Sequence, residues 1–257
     1  MSEIRCDKDG AIATVTLSNP GKLNALDVAM WQGLRSTFDK LSADTALRCI
    51  IVTGEDGNFA AGADIAEFAT VRSNLADGMH YHTDTIALAL QAIGNCLHPT
   101  IAAIEGVCVG GGLEIACACD LRIAAAGSRF GIPINRLGFP LAPGELQGLL
   151  DLVGKATALE ILLEGRVFDA EEAKGKGLIH RIATNVADET RQSAVRIAKG
   201  APLAARMNKK LINRLSVAAE PLTAQELQQA FAFLESQDYR EGVGSFLQKT
   251  PPTFTGQ

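Results

Sequence analysis

The stretch of this chain best suited to chemistry is Val107-Cys108-Val109-Gly110-Gly111-Gly112-Leu113-Glu114. An apolar, β-branched run over residues 101–109 feeds three consecutive glycines. An apolar helix with a carboxylate in its first turn is expected to start after them. Glycines let backbone approach a ligand closely, and a helix start leaves several N–H groups without partners. Free donors and the positive end of the helix dipole coincide at such a corner, so it holds negative charge. With a carboxylate beside it to move a proton, the corner suits reactions in which an oxygen becomes anionic, enolate formation above all.

Positioning that corner takes a scaffold of short elements. Residues 4–7 and 11–17 read as a hairpin around Lys8-Asp9-Gly10, broken by Asn19-Pro20-Gly21. Asp27 reads as the cap of a helix whose apolar face carries Met30, Leu34, Phe38 and Leu41. Residues 49–53 read as a buried strand, followed by a glycine-rich turn at 54–57 and a loop at 58–63 leading to a short helix from Asp64. Residues 77–96 are helical in pattern and stop before His98-Pro99. A strand at 100–104, a helix at 113–119 and a strand at 121–125 follow. This alternation gives an α/β fold of repeated strand–strand–helix units around a layered sheet. From Gly144 apolar positions recur at helical spacing nearly to the end, with one strand at 178–182. The chain divides into an α/β core, residues 1–195, and a helical C-terminal region, residues 196–257.

Bulk properties narrow the partners. A chain of 257 residues that is 47% hydrophobic and 21% charged buries a substantial core and is not disordered. No apolar run approaches bilayer-spanning length, and Met1-Ser2-Glu3-Ile4-Arg5 lacks a signal-peptide plan, so a cytoplasmic location and no membrane partner are expected. A net charge of -5 argues against a nucleic-acid partner, although local lysines and helix starts can still hold phosphates. The six cysteines show no CxxC spacing, and Cys117 and Cys119 lie two apart on a helix, facing different ways. Reduced, buried thiols and no metal site are therefore expected. The consecutive glycines lack the G-x-G-x-x-G spacing of a dinucleotide-binding turn.

Asn24-Ala25-Leu26, Phe59-Ala60-Ala61-Gly62-Ala63-Asp64-Ile65, Gly110-Gly111-Gly112-Leu113-Glu114, Cys119-Asp120-Leu121-Arg122 and Phe130-Gly131 occur in the order and approximate spacing of the crotonase (enoyl-CoA hydratase/isomerase) superfamily. The chain resembles that family from about Ile12 to Phe254. The resemblance implies a spiral of ββα units, a helical C-terminal region used in trimerisation, a homotrimer or dimer of trimers, and coenzyme A thioester substrates. Coenzyme A arrives with the substrate, so no separate cofactor is implied. Carried over residue by residue, the oxyanion hole consists of the backbone N–H groups of Ala63 and Gly111. Glu114 corresponds to the first of two glutamates that hold one water and relay its proton. Lys22, Leu23 and Ala25, with Ala61, Asp64 and Ile65, correspond to the loops that meet coenzyme A. Phe246 and Lys249 match a C-terminal Phe-x-x-Lys pattern that reaches the nucleotide, sometimes from a neighbouring subunit. Ala66 stands where close relatives often carry lysine.

The chain also departs from the family pattern. The second glutamate is expected after Phe-Gly-x-Pro, but Phe130-Gly131-Ile132-Pro133 is followed by Ile134, which can neither give nor accept a proton. The next segment, usually Pro-Gly-x-Gly-Gly, is Phe139-Pro140-Leu141-Ala142-Pro143-Gly144-Glu145. Three readings stand open. Glu145 enters the pocket as the missing acid, or is only a helix-start carboxylate ahead of Leu146 and Leu149. Glu114 works alone, in a slower hydration or in double-bond migration. Or the acid is His80 or His82, which otherwise belong to an exposed polar loop. Pro133-Ile134-Asn135 with Leu137-Gly138-Phe139-Pro140 is similar to decarboxylating members, with Leu141 where those carry tyrosine. Arg136 there could pair with a substrate carboxylate or form a surface salt bridge. The expected function is hydration of a 2-enoyl thioester. The alternatives are isomerisation, decarboxylation, or thioester binding without catalysis.

Overall fold

The computed structural model describes residues 1–216 and 223–252; Phe254, the end of the resembling stretch, lies outside them. The chain opens with β1 (Glu3–Asp9) and β2 (Ile12–Ser18), paired antiparallel. The turn lies at Gly10-Ala11, later than expected, with Gly10 at a φ of +58°. Helix α1 (Val28–Ala43) starts where the Asp27 carboxylate accepts the Met30 N–H at 2.8 Å. It buries Met30, Leu34, Phe38 and Leu41, as their spacing demands, together with Trp31. β3 (Cys49–Gly54) leads to a 3-10 turn, Ile65–Glu67, capped by Asp64, and then to α2 (Phe68–Val71). The helical pattern expected at 77–96 forms as α3 (Leu75–His80), a π-helical turn (Tyr81–Ile86) and α4 (Ala87–Gly94).

The apolar run at 101–109 is two strands, β4 (Thr100–Ile104) and β5 (Val107–Val109). Gly106 separates them at a φ of +53°, where an added Cβ would meet the Gly57 carbonyl at 2.3 Å. α5 (Gly111–Ala118) begins two residues before the expected Leu113. β6 (Leu121–Ala125), β7 (Arg129–Gly131), α6 (Pro143–Glu164), β8 (Phe168–Asp169) and α7 (Ala170–Gly175) follow. The strand expected at 178–182 is instead β9 (Arg181–Ala183). Leu178 and Ile179 are buried in the exit of α7, where the Leu178 N–H donates to the Ala173 carbonyl. The chain continues with α8 (Val186–Lys199), α9 (Pro202–Ser216), α10 (Ala224–Phe231) and α11 (Gln237–Gln248).

The main sheet runs β1-β2-β3-β4-β6-β9, parallel from β2 onward, and β5-β7-β8 form a smaller sheet. Parallel bridges from Leu26 to Ala63 and from Ala60 to Cys108 extend the small layer into the earlier loops. Each turn of the chain thus lays one strand in the main sheet, one segment in the small layer, and then helix. This is the crotonase-like α/β spiral. One face of the main sheet is covered by α8, through Val186 and Ala194 against Ile51, Ile101 and Ile123. The boundary expected between residues 195 and 196 therefore falls inside a helix that belongs to the core. The helices beyond it do more than extend outward: α11 packs on residues 133–137, and Leu234 fills the space beside Gly78 in α3.

Candidate active site

Two loops meet at the triple-glycine corner. The Asn24 side chain, on a backbone with a φ of +57°, donates to the Glu55 and Asn58 carbonyls at 2.9 and 2.7 Å. This fixes residues 25–26 beside residues 60–64. The Leu26 N–H then donates to the Gly62 carbonyl, and the Asp64 N–H to the Leu26 carbonyl. In such a parallel bridge the N–H of the residue between, Ala63, points to the other side. No backbone carbonyl accepts it among the described residues. Gly111, at the first position of α5, is in the same state, and the first intrahelical bond is Glu114 N–H to the Gly110 carbonyl. A Cβ on Gly62 would lie 3.5 Å from the Gly111 nitrogen, and one on Gly112 would lie 2.3 Å from the Ala60 carbonyl oxygen. The two loops that carry the unpaired N–H groups therefore pack closely, and at residue 112 that approach requires glycine.

The carboxylates come next. Glu114 is 7% exposed and Glu145, in the first turn of α6, is 5% exposed. α5 and α6 cross where a Cβ on Gly148 would lie 3.5 Å from Cβ of Cys117. Glu114 and Glu145 each precede that crossing by three residues, on the same helix faces. Burial holds the Glu114 carboxyl well above the usual range, the Glu145 charge raises it further, and the Arg72 charge opposes both. Burial pushes Glu145 up to about 8, again against Arg72. Glu145 is at the helix start, as one of the open readings has it, and its side chain is buried there.

His82 also differs from expectation. It is buried in the π-helical turn, with Nδ1 2.5 Å from Oε1 of Glu145, and is not part of an exposed loop. Burial, then the Arg72 charge, holds its imidazole well below 6.5. Burial thus favours the neutral form of both partners, and the ring tautomer decides which of the two donates across this contact. His80 is exposed, 3.1 Å from Asp84. Ile134 is buried, Asn135 donates to the Leu163 carbonyl at 2.8 Å, and Arg136 is exposed.

Of the other anticipated residues, Lys22 and Asp64 form an ion pair at 2.6 Å that clips the two loops together. The Ala61 N–H donates to the Leu23 carbonyl and the Ala25 N–H to the Lys22 carbonyl, while Ile65 begins the 3-10 turn. Leu23 is exposed at a φ of +49°. Phe246 and Lys249 lie exposed at the end of α11, and among the described residues no hydrogen bond or ion pair joins them to these loops.

A match to the enoyl-CoA hydratase/isomerase family model spans residues 7–257. The chain belongs to that family. It is 36% identical over 98% of its length to a protein of Mycobacterium bovis named as a probable enoyl-CoA hydratase, covering 97% of that protein. The crystal structure of an enoyl-CoA hydratase/carnithine racemase from Magnetospirillum magneticum is 43% identical, with a TM-score of 0.82 over 100% of this chain and 97% of that one. A methylmalonyl-CoA decarboxylase in complex with 2-nitronate-propionyl-CoA is 27% identical, with a TM-score of 0.89 over 99% of each chain.

For this member of the enoyl-CoA hydratase/isomerase family, sequence reasoning missed Arg72. It ends α2 and is 5% exposed, with its guanidinium 3.7 Å from the Phe68 ring centroid, 4.4 Å from Phe139 and 5.4 Å from Tyr81. Its cage is assembled from three separate segments, so no local pattern announces it. No helix among the described residues is long and apolar enough to cross a membrane, and none of them cluster as a metal site.

Proposed function

We propose that this enzyme polarises an acyl-CoA thioester carbonyl with the Ala63 and Gly111 N–H groups and adds water to a 2-enoyl thioester. Glu114 and Glu145 move the protons, Glu145 standing in for the acid that Ile134 cannot supply. One of the pair, ionised, takes a proton from water as the water oxygen bonds to the β-carbon. The double-bond electrons shift to the thioester oxygen, which the two N–H donors stabilise as an enolate, each such donor being worth a few kcal/mol in comparable sites. The partner acid returns a proton to the α-carbon as the carbonyl re-forms. Water is added whole and no electrons are gained or lost, so the reaction as written calls on no metal or redox cofactor. Arg72 lowers the cost of ionising one buried carboxyl. Lys22, Leu23, Ala25, Ala61, Asp64 and Ile65 form the mouth for coenzyme A, with Phe246 and Lys249 reaching a nucleotide from α11 of the same or a neighbouring subunit.

The observation that carries this reading is the pair of buried carboxyls beside two unpaired backbone donors. Assembly as a homotrimer or dimer of trimers is part of the proposal. It is supported by the exposed apolar stripe Leu203, Met207 and Leu211 on α9. The test is product analysis with crotonyl-, 3-enoyl- and methylmalonyl-CoA. Formation of 3-hydroxybutyryl-CoA is expected. Carbon dioxide from methylmalonyl-CoA without hydration would replace hydration by decarboxylation, and binding of all three without product would leave a non-catalytic thioester-binding protein.

A further inference from the structure

Arg72 is a cation nine-tenths buried that has no ion pair among the described residues. Its Nε and Nη1 have no hydrogen-bond partner, and among the described residues no carboxylate lies within 4 Å of it. The faces of Phe68 and Phe139 hold the guanidinium in place through its π-surface, which leaves the in-plane N–H groups free for an acceptor. A buried guanidinium donor left unsatisfied costs free energy, so such a group is retained where something supplies the acceptor. Its charge is felt at Glu114, Glu145 and His82, which places it at the same site as the acids.

We infer that Arg72 is a specificity residue that receives a second carboxylate on the acyl chain, so that the preferred substrates are coenzyme A thioesters of dicarboxylic acids. This rests on the reading of the site as a thioester pocket, but not on the reaction carried out there. Nε and Nη1 lie on different edges of the guanidinium, so each unpartnered edge offers a carboxylate a charge-assisted N–H donor from a buried cation. The fork is already held in place by the aromatic rings, so little ordering is needed when the anion arrives.

Binding of saturated thioesters separates this inference from the chemistry. Valeryl-CoA and glutaryl-CoA have equal chain length and differ by a terminal carboxylate. Calorimetry of the wild type with each is expected to show glutaryl-CoA bound on the order of 10- to 100-fold more tightly, as for a charge-assisted hydrogen bond to a buried cation. In R72M the ratio is expected to fall to near one, and in R72K to an intermediate value, because the ammonium keeps the charge and loses the fork. Equal affinity of the wild type for the two thioesters overturns the inference, whether or not a variant folds. So does a loss in R72M that is the same for both, which would leave Arg72 only as the charge that tunes the carboxyls. If glutaryl-CoA wins while no enoyl thioester is hydrated, the Arg72 assignment stands and the hydratase reading falls.

Discussion

Glu145→Gln tests the site from two sides at once. The amide has the shape of the carboxyl and can donate or accept, so the contact with Nδ1 of His82 is kept in either ring tautomer. The variant cannot move a proton, and kcat should fall by about 10²- to 10⁴-fold, with KM changed little. Stability should respond in the opposite sense. The carboxyl ionises near 4.5 in the unfolded chain and near 8 in the fold. Between those values the folded state binds the proton more tightly, so the wild type loses stability as pH rises through that window. At 1.36 kcal/mol per pH unit the loss from this group is about 3 kcal/mol by pH 7 and about 5 kcal/mol by pH 9. Glutamine carries no such dependence. Urea unfolding at a fixed protein concentration should therefore show the variant gaining about 4 kcal/mol on the wild type between pH 5 and pH 9. Stability curves that stay parallel across that range, or a kcat within threefold of wild type, would refute the placement of Glu145 as a buried, protonated acid.

Glu114→Gln should lower kcat by about 10²- to 10⁴-fold while thioester affinity by calorimetry stays within threefold. The kcat of the wild type should rise with pH through the neutral-to-alkaline range, where the coupled carboxyls lose their first proton, and not near pH 4.5. Gly112→Ala places a methyl 2.3 Å from the Ala60 carbonyl oxygen, so urea unfolding should show a loss of about 1–3 kcal/mol, and kcat should drop with it as the two donor loops part. If the proposed trimer assembles through the exposed stripe of α9, sedimentation should show it for the wild type and monomer for Met207→Glu with Leu211→Glu.

The parts of this molecule readable from sequence are those settled by short-range physics. The Asp27 cap, the apolar face of α1, the strands at 49–54 and 100–104, and the Gly110–Glu114 corner depend on spacing along one segment. The start of α5 was set two residues late because glycine is a poor helix former. Here Trp31 and the Ala60 carbonyl leave no room for a side chain at residues 111 and 112, and packing overrides propensity. Leu178 and Ile179 have a strand's composition, yet they fill the core at a helix exit. The role of Glu145 stayed open because it turns on how α5 crosses α6, which neither segment encodes alone. Spacing alone leaves His82 open between a pocket acid and an exposed polar loop, because it lies at the start of the helical pattern at 77–96. The π-helical turn shifts the helical phase there and carries the imidazole inward.

The buried charges of the site act as one unit and not as separate devices. Two carboxyls, an imidazole and a guanidinium are all largely buried and electrostatically coupled, and no ion pair joins the cation to either acid. With both carboxyls protonated the pocket holds one uncompensated positive charge. Ionising one acid cancels it, which is why Arg72 draws the carboxyls down against burial. An anionic group on the substrate would cancel the same charge, and would thereby push the acids back toward their protonated forms. Proton inventory and acyl-chain preference therefore draw on a single cation. A substitution at Arg72 meant to alter one must alter the other, and in the proposed reading Glu145 supplies the acid that Ile134 cannot, from a helix start where the Arg72 charge reaches it.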